Sequence, residues 1–124
     1  MKKIFAVAAL AASVAFSSNV FAHGAKAKHG GIVQSASDLG FELVTKDGST
    51  TIYVDDHGKD LPTQGATGTL TVLKGAQKTE LPIEAGAGNT LVVKGDAKLE
   101  KGNKAVAAIT FADKKTVSVR FSVK

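Results

Sequence analysis

The chain of 124 residues has no cysteine, no tryptophan, a single tyrosine, a single methionine and two prolines. Without cysteine there are no disulfides, no thiol nucleophile, and no thiolate site for zinc, iron–sulfur clusters or copper. The one methionine is Met1, so no thioether is left for copper(I) either. A metal site would have to be built from His, Asp, Glu, backbone groups or an N-terminal amine. One tyrosine and no tryptophan make no aromatic platform for sugars. G-x-S-x-G and H-E-x-x-H motifs are absent, and nothing in the sequence argues for an enzyme. The basic excess is mild and spread along the chain. It forms no dense stripe of the kind that grips nucleic acid.

What is present begins with a leader. Lys2 and Lys3 precede an uncharged apolar run from Ile4 to Phe16, and Val20 and Ala22 fall at −3 and −1 of a cleavage point. This is the layout of a secretory signal peptide over residues 1–22. The run is shorter than the ~20 residues that span a bilayer, and no later run is longer, so the mature form is not expected to cross a membrane. Cleavage after Ala22 makes His23 the first mature residue. It also removes Lys2 and Lys3, lowering the formal net charge from +5 to +3. About 100 residues then remain, enough for one core and not for two.

The mature chain reads as a flexible N-terminal segment over residues 23–30 followed by a β domain over residues 31–124. "DLGFELVTKDGSTTIYVDD" is the clearest unit. Asp47-Gly48 between two alternating runs predicts a two-residue hairpin. Folding there sets Lys46 opposite Ser49, and it puts Leu43 opposite Ile52 and Phe41 opposite Val54 on one apolar face, with Glu42 opposite Tyr53 on the other. A short strand at Ile32 to Gln34 pairs back on it through "SASD". Further strands are expected in "ATGTLTVLK", "KTELPIEA", "TLVVK", "KAVAAITFA" and "TVSVRFSVK", with Pro82 at an edge or bulge. About seven short strands and no helical period predict a single antiparallel β-sandwich of immunoglobulin-like type, with a small β-barrel as the alternative.

The three histidines, His23, His29 and His57, are the candidate ligands. At a mature N-terminus, His23 offers an amine and a ring nitrogen to the same ion. A second imidazole makes a three-nitrogen site, which favours Cu(II), with zinc as the other candidate. His29 and His57 each qualify for that role, the latter with Asp55 nearby. The register puts those two on the order of 15–20 Å apart at ~3.4 Å per residue, too far to share an ion. His23 has slack to reach either. "DDHGKD" is equally good turn chemistry.

The stretch "HGGIVQSASDLGFELVTKDGSTTIYVDDHGKDLPTQGATGTLTVLKG" resembles a group of small exported bacterial proteins. These share an H-G-G near the mature N-terminus, an E-L-V strand, a D-H turn and a G-T-L-T-V strand. An H-G-G followed by E-L also occurs in the leading segments of periplasmic adaptor subunits of heavy-metal efflux pumps. Periplasmic copper carriers of the small β-sandwich kind are similar in architecture and in a mature N-terminal histidine. These resemblances imply a periplasmic location, handling of copper or zinc, and an efflux-pump component as partner. They mark His29, Gly30 and Gly31, and less firmly His57. A metal-free sandwich serving as an interaction module of the cell envelope is the alternative.

Overall fold

The computed structural model describes residues 26–124. The expected signal peptide and His23 lie outside the described residues. Within them the chain forms nine strands: β1 (Ile32–Ala36), β2 (Leu39–Lys46), β3 (Ser49–Asp56), β4 (Lys59–Asp60), β5 (Thr67–Lys74), β6 (Gln77–Ala85), β7 (Thr90–Val93), β8 (Lys104–Thr110) and β9 (Thr116–Ser122). None of the described residues is helical, so no described helix is long and apolar enough to cross a membrane.

Turn chemistry explains the hairpins. Type I′ turns need a positive φ at both central residues. Ser37-Asp38 (51° and 64°), Asp47-Gly48 (51° and 79°) and His57-Gly58 (53° and 90°) all meet that requirement. The predicted pairings of Lys46 with Ser49, Leu43 with Ile52, Glu42 with Tyr53 and Phe41 with Val54 are all present. β1 pairs with β2 from Ile32↔Leu43 to Ala36↔Leu39.

All strands join one antiparallel sheet in the order β1-β2-β3-β7-β6-β5-β8-β9, with the two-residue β4 returning on β3. β5, β6 and β7 form a meander, and β8 returns to lie beside β5. This is a Greek-key path. β9 packs alongside β1 with no ladder between them, so the sheet curls nearly into a barrel. The all-β class is as expected, but the two stacked sheets of a sandwich give way to the barrel alternative. The β3–β7 and β5–β8 ladders leave no break at which one sheet could separate from another.

One face of most long strands is apolar and points inward, while β6 contributes Ile83 alone. Phe41, Ile52, Val54, Leu70, Val72, Ile83, Leu91, Ala107, Ile109, Val119 and Phe121 are all buried. The alternation in β9 is complete, with Val117, Val119 and Phe121 buried and their neighbours exposed. Pro82 occupies β6 where β7 runs out, and it cannot return the bond that its carbonyl receives there. Its carbonyl accepts from the N–H of Lys94, so its nitrogen faces the same way, beyond the end of the β6–β7 ladder, which starts at Ile83. Thr50 breaks the apolar rule: it is fully buried and its hydroxyl has no partner.

Candidate functional site: a carboxylate that gathers the His29 segment

The outward-facing row across β1, β2 and β3 runs Val33, Glu42, Tyr53. An outward glutamate would normally sit in water. Here residues 28–31 fold over it, and only 6% of Glu42 remains exposed. Each carboxylate oxygen accepts two hydrogen bonds. Oε1 takes the backbone N–H of Lys28 (3.1 Å) and the ring Nδ1 of His29 (3.0 Å). Oε2 takes the backbone N–H groups of His29 and Gly31, both at 2.8 Å. The His29 ring lies flat on Tyr53, with centroids 3.6 Å apart and planes 8° from parallel.

The two glycines allow this wrap. Gly30 takes φ +74°, a left-handed value that side chains disfavour. Gly31 has no room for a Cβ, which would run into the Leu43 carbonyl and the Val44 side chain. The H-G-G motif therefore has a local physical cause. It lets one short segment present three backbone N–H groups and an imidazole to a single carboxylate. Among the described residues, the chain is hydrogen-bonded to the sheet from Lys28 onward.

Burial pushes the Glu42 carboxyl up. The His29 ring and the N–H groups of Gly31, His29 and Lys28 outweigh it, and its pKa lies below the ordinary carboxylate value. The carboxylate form is thus the one the segment is built around.

His57 and Asp55 stand elsewhere, at the β3–β4 turn. His57 occupies the first central position of the type I′ turn, and its Nδ1 lies 2.6 Å from Asp56 Oδ1 in an exposed pair. Asp55 Oδ2 accepts the Gly58 N–H at 2.9 Å, and its Oδ1 rests against Gly40, where a side chain would collide. The hydrogen bonding of both residues is that of a turn. A long contact links the two regions, from Lys28 Nζ to the Gly58 carbonyl at 3.4 Å. Among the described residues, no group of three His, Asp or Glu side chains is placed to hold a metal ion.

A cleft of about 450 Å³ lies beside the segment, with Lys26, His29, Tyr53, Asp55, Asp60 and Asn89 in its walls. A larger groove of about 600 Å³ runs by Leu39, Leu61 and Phe111 and contains no histidine. Glu42 and Tyr53 were visible in the sequence as a cross-strand pair on the wet face. Their role was not, because the segment that covers them carries no hydrophobic pattern.

The chain matches no family model, and no curated protein or solved structure shows significant similarity to it. What defines it is its architecture: an all-β, nearly closed barrel with a histidine held against its outer wall by a buried carboxylate.

Proposed function

We propose that this is an exported, periplasmic transition-metal-binding protein, serving as a carrier, buffer or accessory to an efflux pump, with copper as the favoured ion and zinc second. The observation that carries the reading is the His29 ring. Its Nδ1 faces the Glu42 carboxylate and its face rests on Tyr53, while 40% of the side chain stays exposed. Metal-binding histidines typically pair their second ring nitrogen with a carboxylate in this manner.

One imidazole is too few for a tight site. In this reading His23 supplies the rest, through its amine and ring after signal cleavage. Five residues separate the two histidines, and a chain rising ~3.4 Å per residue easily folds back over that span. Three nitrogens suit Cu(II). His57 and Asp55 are the second choice as partners of His23.

Calorimetric titration of Cu(II) and Zn(II) into protein purified after export tests this. Submicromolar binding is expected, weakened at least tenfold by His29→Ala and by one extra residue ahead of His23. Binding no tighter than that of a free peptide spanning residues 23–31 overturns it.

The four bonds to Glu42 also favour a second reading, since they tether the segment without any metal. In that case the protein is a metal-free interaction module, and His29→Ala alters stability alone. Retention of an envelope protein on the immobilised mature chain, independent of metal, would support it.

A further inference from the structure

Three backbone N–H groups and the His29 ring together tether residues 28–31 to Glu42. The bond to the ring does something more. An ionised carboxylate accepts and cannot donate. The hydrogen between Glu42 Oε1 and His29 Nδ1, 3.0 Å apart, therefore belongs to the ring. A neutral imidazole carries one N–H, so its lone pair is then on Nε2.

We propose that Glu42 is a positioning residue of the metal site: it holds His29 in the tautomer that leaves Nε2, and only Nε2, free to meet an ion. The inference rests on the reading of His29 as a ligand. Three features make Glu42 able to do this. Its carboxylate is immobilised by the N–H groups of Lys28, His29 and Gly31. Its side chain is only 7% exposed, so water competes weakly for Nδ1. Tyr53 covers one ring face and resists rotation about the Cβ–Cγ bond. An incoming ion is thereby confined to the ring plane, on the Nε2 side. His57 lacks these constraints. Its Asp56 partner is 51% exposed and its own side chain 78% exposed, so solvent competes for both groups. This difference makes His29, rather than His57, the imidazole with a defined donor atom.

The test is nitrogen NMR of histidine-labelled protein, purified after export and kept metal-free above neutral pH, followed by titration with Zn(II). Wild-type His29 is expected as the Nδ1–H tautomer, with Zn(II) moving the Nε2 signal. Glu42→Gln should mix the tautomers and weaken Zn(II) binding 10–100-fold, the range for loss of such a carboxylate partner. In a His29→Ala background the same substitution should cost no further affinity. A wild-type Nε2–H tautomer overturns the inference even if zinc binds. So does unchanged affinity in Glu42→Gln, or a loss that persists without His29, which would mark a purely structural role. The expected tautomer in a protein that binds neither Zn(II) nor Cu(II) supports the assignment of Glu42 to the ring and overturns only the metal reading.

Discussion

Replacing Glu42 by Gln should release residues 28–31 from the barrel wall while leaving the barrel intact. Each oxygen of the carboxylate takes two donors. Whichever way the amide of Gln turns, its NH2 group faces one of these pairs. Hydrogen bonds to charged groups contribute about 1.5–3 kcal/mol each, so four at the low end hold on the order of 6 kcal/mol. Ordering Lys28 to Gly31 costs about 4 kcal/mol at ~1 kcal/mol per residue. The segment is therefore closed by about 2 kcal/mol, a population ratio of about 30. Gln keeps two bonds, now neutral and contributing about 1 kcal/mol each. The balance then reverses by a similar amount, and the open state dominates. Amide hydrogen exchange reads this directly. The Lys28, His29 and Gly31 amides should be protected about 30-fold in the wild type and not at all in the variant, with Ile52 and Val119 unchanged. Persistent protection of the three amides would refute the reasoning. So would a comparable loss across the sheet, which would make Glu42 a support of the whole fold.

Other perturbations follow from the same structure. Because the folded pKa of Glu42 is depressed, its contribution is fully present above the unfolded value of about 4.3 and is lost as pH falls through the lower folded value. Protection at Lys28, His29 and Gly31 should persist down to about pH 5 and disappear below the carboxylate range, a loss that Glu42→Gln abolishes. Thr50→Val removes a buried hydroxyl without a partner and should raise the unfolding free energy by about 1 kcal/mol in urea titrations; a lower value would reveal an unrecognised partner for that hydroxyl. Gly31→Ala drives a Cβ into the Leu43 carbonyl and should cost about 1–3 kcal/mol. Gly30→Ala, with open space but φ +74°, should cost about 1–2 kcal/mol through backbone strain alone. Equal exchange behaviour at the residue-31 amide in both glycine variants would argue against the steric account.

Much of the fold was legible because it is local. Alternation assigned Phe41, Leu43, Ile52 and Val54 to one face, and Asp47-Gly48 fixed their register through turn geometry. The same logic marked Val117, Val119 and Phe121 as inward-facing. Period-two patterning names the buried face of a strand but not its neighbour across the sheet. Whether β7 pairs with β3, and β5 with β8, is decided by long connections that carry no pattern of their own, and those pairings separate a barrel from a sandwich.

The site divides the same way. The sequence by itself determined that any metal chemistry rests on His, Asp, Glu, backbone groups or an N-terminal amine, that His29 is followed by two glycines, and that Glu42 faces Tyr53 on the wet side of a hairpin. Only the tertiary structure decided that these belong together. Glu42 lies 13 residues beyond His29, and no local propensity draws a polar glycine-rich segment back across β2. What draws it is a carboxylate that burial alone would penalise and four donors that offset the penalty. That balance exists only once the sheet has formed.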